Sequence, residues 1–443
     1  MKDVVIIGGG PGGYVAAIRG AQLGLDVAVI EKQSLGGTCL NVGCIPTKTY
    51  VAMTEVLKNI KRADEFGIRV SGFSCDLPAM ITRKNEVVQK LVGGIEYIFK
   101  KRNIALYRGI GSIVDKNTVE VNGEKIETKN IIIATGSEPL IPAMFAVDGF
   151  TLDSTAILDM DTVPTHLVVV GGGVIGVEFA CIWAQLGAKV TIVEMQKNLL
   201  PMVDKRLSAR LKSVLKKMNI DILTDKKVEK VEQGKLTLND GTIISADKML
   251  VAIGRKPVYQ GIECEKLGIE KEGQFIKVDA HMRTSVPSIY AIGDIVPSAQ
   301  LAHVASREGI VAIEHIAGHS AHINYDAIPW AIFTSPEIAV VGKSPEQVEN
   351  AKVGQFPFAA NGKALGMGED EGYVKIIATA ENVVVGMEIF GPHASDMIHE
   401  GAIAIEQKMT LEQLADVVHA HPTLSEVVVE SAENALGRAI HGV

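Results

Sequence analysis

The sequence predicts an α/β protein built around a duplicated βαβ unit. Three observations carry that prediction: a strand, glycine-rich turn and helix pattern that recurs at a fixed spacing, two later apolar runs that end in glycine turns, and a C-terminal stretch where strand patterns precede a helix pattern. The chain has 443 residues, too many for one compact core, so several domains are expected. Hydrophobic residues make up 47% and charged residues 22%, and 44 positions are glycine; this profile excludes disorder, a collagen-like repeat and a coiled coil. The formal charge of -8 gives no global electrostatic case for a nucleic-acid or anionic-membrane partner.

In chain order, Val4 to Ile7 reads as a buried strand, Gly8-Gly9-Gly10-Pro11-Gly12-Gly13 as the turn, and a helix pattern then leads to a second strand, Val27 to Ile30, ending at Glu31. The pattern returns with the strand Leu167 to Val170, the turn Gly171-Gly172-Gly173-Val174-Ile175-Gly176 and a strand ending at Glu194. The offset is 163 for the first glycine, for Gln22 and Gln185, and for the two glutamates, so two whole units are in register. In each, the first glycine (Gly8, Gly171) makes a tight turn, the second (Gly10, Gly173) lets backbone N–H groups approach a pyrophosphate, and the third (Gly13, Gly176) allows close helix–strand packing. The helix N-terminus offers unpaired donors and a positive dipole end to the phosphates. The strand-end carboxylates Glu31 and Glu194 suit a ribose diol. Two Rossmann-like dinucleotide-binding domains are therefore expected. A carboxylate at Glu194 repels a 2′-phosphate and favours NAD over NADP, with Lys197 read as a solvated surface lysine. Ile131 to Gly136 and Met249 to Gly254 read as buried parallel strands that close the two domains.

No apolar run approaches the ~18 residues of a membrane span, and Met1-Lys2-Asp3 leads directly into a strand without a signal-peptide pattern, so a cytoplasmic location is expected. Structural disulfides are not expected there. The five cysteines show no zinc spacing and no metal site is expected, but Cys39 and Cys44 lie five residues apart. Their segment, Gly36-Gly37-Thr38-Cys39-Leu40-Asn41-Val42-Gly43-Cys44-Ile45-Pro46-Thr47-Lys48, follows the first unit and should lie beside the ring of whatever that unit binds. Pro46 is expected to disfavour helix at Ile45, and Gly43 to permit a distorted turn between the cysteines. Cys75, Cys181 and Cys264 read as small buried hydrophobes.

That segment, the double fingerprint, Tyr290-Ala291-Ile292-Gly293-Asp294 and His419-Ala420-His421-Pro422-Thr423-Leu424-Ser425-Glu426 together resemble the dihydrolipoamide dehydrogenase family of flavin-dependent pyridine nucleotide–disulfide oxidoreductases, over essentially the whole chain. The resemblance implies FAD at Gly8 to Glu31 with Asp294 on the ribityl chain, NAD at Gly171 to Glu194, and a redox-active disulfide. Cys44 would be the sulfur next to the flavin and Cys39 the one exchanging with substrate; Lys48 would pair near the flavin with Glu178. A dithiol oxidation needs a base with a pKa near working pH, which suits His421, with Glu426 orienting its ring. Pattern alone reads Thr423 to Glu426 as a capping box with Thr423 as N-cap, and the two roles of Glu426 compete. His419 reads as structural. The implied partners are a lipoyl-bearing protein of a 2-oxo acid dehydrogenase complex or glycine-cleavage system, and a second copy of the chain.

On this reading an FAD domain occupies 1–143, an NAD domain 144–262, a central segment completing the FAD site 263–326, and a C-terminal α+β dimerisation domain 327–443. The chain departs from the family pattern in a shortened stretch around Asn350 to Val353, in Val258 where a polar residue is common, and in Ser306 and Arg307 where acids are more usual. A competing reading is a nucleotide-binding scaffold with an idle cysteine pair, for which Lys48, Glu178, His421 and Glu426 would have no use.

Overall fold

In the computed structural model, which describes residues 1–441, the chain forms two compact units. The first comprises residues 1–165, 230–236 and 245–323. Its centre is a parallel sheet in which Lys2–Ile7 lies between Val27–Glu31 and Glu124–Ile133, flanked by Ala105–Arg108 and Ile289–Ala291. Val5 sits opposite both Ala28 and Ile131, and Ile131 opposite Ile289. Val4 to Ile6 and Ile131 to Ile133 are fully buried, as continuous apolar runs should be when both faces of a sheet are covered. Thr118–Val121 and Ser112–Asp115 extend the sheet antiparallel.

The helix Pro11–Gln22 packs on the helix Ala302–Ile316, and glycine makes the approach possible. A Cβ on Gly309 would sit 2.5 Å from the Gly12 carbonyl oxygen, and one on Gly12 would sit 2.9 Å from the Ala305 carbonyl oxygen. Ser306 is used locally, its hydroxyl donating to Ala302 O, while Arg307 donates twice to His322 O. Val258 acts through its backbone, receiving the Thr135 hydroxyl and donating to Gly136 O, which is why its apolar side chain is tolerated.

The second unit comprises residues 166–229, 237–244 and 324–441 of the described chain. Parallel strands His166–Val170, Lys189–Val193 and Ile220–Leu223 carry the second fingerprint, whose helix Val174–Leu186 is buried from Gly176 through Trp183. Beyond it lies an antiparallel sheet in the order Trp330–Ile332, Glu337–Gly342, Val384–Gly391, Tyr373–Ala378, Lys352–Pro357. Helices Ala394–Glu406 and Glu426–Ala435 cover it through a core that includes Ile376, Met387, Ile389, Val427 and Val428. The strand patterns that precede a helix pattern in this stretch are the strands Tyr373–Ala378 and Val384–Gly391 and the helix Ala394–Glu406. His393, in the left-handed region at φ 52°, starts it. The shortened stretch is taken up by a turn at Asn350, also at positive φ, before Lys352–Pro357.

Among the described residues no helix is long and apolar enough to cross a membrane, and no cluster of His, Cys, Asp and Glu could hold a metal ion.

Candidate active site

The two fingerprint turns are built alike, bond for bond. Gly8 and Gly171 adopt φ of +108° and +112°, conformations that L side chains rarely adopt. A Cβ on Gly13 would lie 1.9 Å from the Gly8 carbonyl oxygen, and one on Gly176 2.0 Å from that of Gly171. Glu31 accepts the N–H of Gly9 at 2.7 Å and of Gln33 at 2.7 Å; Glu194 accepts the N–H of Gly172 at 2.6 Å and of Gln196 at 2.7 Å. A Cβ on Gly10 meets only Gly37 Cα at 3.9 Å, and one on Gly173 meets nothing within 4 Å. Each helix N-terminus thus presents its unsatisfied N–H groups to open space beside a strand-end carboxylate, a donor set and a volume that fit a dinucleotide.

The cysteine segment grows directly out of the first turn. Gly36 donates its N–H to Gly9 O at 2.8 Å, and Gly37, at φ +56°, approaches so closely that a Cβ there would lie 2.6 Å from Gly10 Cα. Helix Gly37–Val42 carries Cys39, and helix Cys44–Lys61 begins on Cys44. Gly43 joins them at φ -137°, ψ -111°, with room for no more than a hydrogen, since a Cβ would sit 2.9 Å from Thr38 O. The distortion expected between the cysteines is present, but at Gly43 and not at Ile45. Pro46 lies in the first turn of the second helix, where its missing N–H has no partner to lose, so Ile45 stays helical.

The Cys39 and Cys44 side chains are hydrogen-bonded to each other. The bond to Cys44, and after it burial, pushes the Cys39 thiol far above its ordinary range, against the pull of the Lys48 charge. Lys48 follows Cys44 by one helical turn. Of the other three cysteines, Cys181 and Cys264 are buried as expected, but Cys75 is exposed, because it precedes the helix Leu77–Lys101 in a loop that covers nothing.

Asp294 is held by groups that the sequence did not single out. Its Oδ2 accepts the Ser137 hydroxyl, and the Arg255 guanidinium lies 3.9 Å from the same oxygen while donating to Ser137 Oγ and Ser137 O, each at 2.7 Å. Burial draws the Arg255 pKa down, opposed by the negative charge of Asp294. Glu308, wholly buried, accepts the N–H of Gly293 at 2.7 Å and so fixes the turn that presents Asp294. An acid set within the apolar stripe of Ala302–Ile316 was the available signal for Glu308.

In the second unit, Glu178 is buried on the fingerprint helix and accepts the N–H of Phe333 at 3.0 Å. His421 and His419 lie two residues apart on opposite terms with solvent: the His421 side chain is 81% exposed and that of His419 10%. His421 Nδ1 lies 2.8 Å from Glu426 Oε1, which fixes the tautomer with Nε2 as the acceptor nitrogen. The other Glu426 oxygen, Oε2, accepts the N–H of Thr423 at 2.8 Å. The two roles expected to compete are split between two oxygens. The reciprocal half of the capping box is missing, because Thr423 Oγ1 donates to Ala420 O and Ser425 is the N-cap. Burial pushes the Glu426 carboxyl up, but the Thr423 N–H and His421 bring it below its ordinary value. His419 is bound at both nitrogens, to Glu400 Oε2 and Val417 O, each at 2.9 Å, and the Glu400 bond raises its pKa.

Residues 2–309 match the family model described as pyridine nucleotide-disulphide oxidoreductase, and residues 328–432 match the dimerisation domain of the same family. The chain belongs to the pyridine nucleotide-disulphide oxidoreductases. Its second match makes the C-terminal domain of this oxidoreductase one that joins two copies of the chain. Among its relatives is dihydrolipoyl dehydrogenase of Geobacillus stearothermophilus, 43% identical over 99% of this chain and 97% of that protein. Dihydrolipoyl dehydrogenase of Bacillus subtilis is 42% identical over 99% of both. Among solved structures, LpdA from Mycobacterium tuberculosis superimposes with a TM-score of 0.91 at 28% identity, covering 98% of this chain and 99% of that one. The HOCl-induced flavoprotein disulfide reductase RclA from Escherichia coli does so with a TM-score of 0.87 at 27% identity, covering 97% and 99%.

Proposed function

We propose that this oxidoreductase is a dihydrolipoyl dehydrogenase: it oxidises protein-bound dihydrolipoyl groups to the disulfide and passes the electrons to NAD. The single observation that carries the reading is the Cys39–Cys44 pair, hydrogen-bonded across the Gly43 break and rooted on the first fingerprint turn. Gly8, Gly10, Gly13 and Glu31 hold FAD, with Asp294 on the ribityl chain; Gly171, Gly173, Gly176 and Glu194 hold NAD. Bound FAD supplies a two-electron carrier between a dithiol and a nicotinamide.

His421 Nε2 takes a proton from one substrate thiol, and the resulting thiolate attacks Cys39 sulfur of the oxidised pair, breaking the Cys39–Cys44 bond and releasing Cys44 as thiolate. The second substrate thiol attacks the first substrate sulfur and breaks its new bond to Cys39, so the lipoyl disulfide closes and Cys39 leaves as thiol with the second thiol's proton. The two electrons and two protons removed from the substrate appear finally as NADH and one proton, and the cysteine pair is again oxidised. Glu426 Oε1 stabilises the imidazolium while it exists. By the family resemblance, Lys48 and Glu178 are the charged residues that would serve the flavin. The dithiol donor is a lipoyl-bearing subunit of a 2-oxo acid dehydrogenase complex or of the glycine-cleavage system, in the cytoplasm, and His421 serves the disulfide of the other copy in the homodimer. The domains run 1–143, 144–262, 263–326 and 327–443.

The test is NAD reduction by dihydrolipoamide, with glutathione and NADPH as controls, together with thiol titration before and after NADH. Two new thiols and dihydrolipoamide-dependent NADH are expected; no new thiols would leave the scaffold reading. His421→Gln should retain FAD and lose ~10²–10⁴-fold in dithiol oxidation.

A further inference from the structure

The second unit contains a buried ionic cluster that no step above uses. Lys375 and Glu388 face each other across adjacent strands of the C-terminal sheet, and Lys375 Nζ bonds Glu388 Oε1 at 2.6 Å and Asp204 Oδ2 at 2.5 Å. The Tyr373 hydroxyl donates to the same Glu388 oxygen at 2.7 Å. The three charged side chains are only 8%, 8% and 6% exposed. Burial pushes the Glu388 carboxyl up in spite of Lys375, as one cation shared between two carboxylates requires. Taking three charges out of water is costly, and three apolar side chains would hold the sheet to its neighbour at less expense. What the ionic arrangement adds is direction: it fixes one particular oxygen of Asp204.

From Asp204 a continuous path runs to the second fingerprint turn. Asp204 Oδ1 accepts the N–H of Leu207 at 2.7 Å and caps the helix Lys205–Lys217. One residue further, the buried Ser208 hydroxyl donates to Leu199 O at 2.8 Å. Leu200 donates its N–H to Gly172 O at 2.9 Å, and Leu199 Cδ2 lies 2.4 Å from where a Gly172 Cβ would stand. Gly172 is thus clamped at its N–H by Glu194 and at its C=O by a short segment anchored on Asp204. The first turn is braced differently, with the corresponding bond to Gly9 O coming from Gly36 and the redox helix packed directly on Gly10.

We infer that Lys375 is a positioning residue for the second dinucleotide site, acting through Asp204 on the Gly172 turn. The inference rests on the reading of Gly171 to Glu194 as the NAD site. Asp204→Ser is the decisive variant: serine keeps the helix cap and leaves Lys375 and Glu388 as a neutral pair, so the fold is retained while the tie is cut. Lys375→Met cuts the same tie from the other end. Each holoenzyme is titrated with ADP-ribose, which cannot accept electrons, and its KM for NAD is measured. Both variants should bind ADP-ribose about tenfold more weakly and raise KM for NAD similarly. The kcat at saturating NAD, the flavin content and the rate of flavin reduction by dihydrolipoamide without NAD should stay unchanged. Glu388→Gln, which leaves the Lys375–Asp204 bond, should keep the ADP-ribose Kd within about twofold of the parent. Variants that only melt earlier, with Kd unaltered, overturn the inference. A Glu194→Gln control separates the two levels. If it weakens ADP-ribose binding while Asp204→Ser does not, the inference alone fails; if neither does, the assignment of the NAD site fails and takes the inference with it.

Discussion

The two dinucleotide-binding units share a turn and diverge immediately after it. Gly8 to Glu31 and Gly171 to Glu194 agree in φ, in glycine contacts and in the two bonds each glutamate accepts. Even the leucine that packs on the middle of the turn recurs, Leu35 against Gly9 and Leu199 against Gly172, shifted by one residue from the common offset. After that leucine the first chain segment enters the redox helices, while the second runs to Asp204 and the buried cluster. Glu31 is buried and Glu194 partly exposed. On the proposed function the common turn holds a pyrophosphate, and the segment after it separates a site that does covalent chemistry from one that releases its ligand to solvent.

The largest effect should come from the third glycines. Gly13→Ala drives a methyl into the Gly8 carbonyl and should empty the enzyme of flavin, ending all turnover. Gly176→Ala makes the same collision at Gly171, yet should leave a flavin that dihydrolipoamide still reduces, with ADP-ribose binding weakened more than about tenfold. Loss of flavin from both would mean that the units are not independent. Glu194→Gln should come next. NAD is expected to be preferred over NADP by at least about tenfold in kcat/KM, and the variant should narrow that ratio, whereas Glu31→Gln should leave it unchanged and weaken flavin retention instead. The smallest effect should come from the leucines, both wholly buried. Leu199→Ala should weaken ADP-ribose binding about threefold with flavin retained, and Leu35→Ala should speed flavin loss at unchanged ADP-ribose affinity. Each truncation should also cost ~2–5 kcal/mol of stability in denaturant unfolding.

The repeat and the cysteine segment were legible because each is local: glycine spacing, strand runs and a terminal acid all fall within about thirty residues, the length of a βαβ unit. Pro46 misled for a related reason. Its rule disfavours helix at the preceding residue, but it holds less well in a first turn, and nothing local announced that the helix would begin at Cys44. Glu426 was read as a choice because a sequence shows one carboxyl group, whereas the structure shows two oxygens aimed at different partners. Lys375 was invisible for another reason: its partner Asp204 lies 171 residues away, and no periodicity links a sheet lysine to a helix cap that distant. Cys75 was misplaced by a composition rule that is blind to whether a loop covers anything.

With His421 as the proposed base, the divided carboxylate of Glu426 has a kinetic consequence. A glutamate that only touched His421 could swing away on its three torsions each time the ring gained or lost charge, and turnover would wait for it to return. Here Thr423 tethers Oε2 to the backbone at the start of the helix Glu426–Ala435, so Oε1 keeps its bearing through the whole proton cycle. The reorganisation that accompanies charging of the ring is correspondingly small. An aspartate at this position, shorter by one methylene, could keep the tether or the ring but not both.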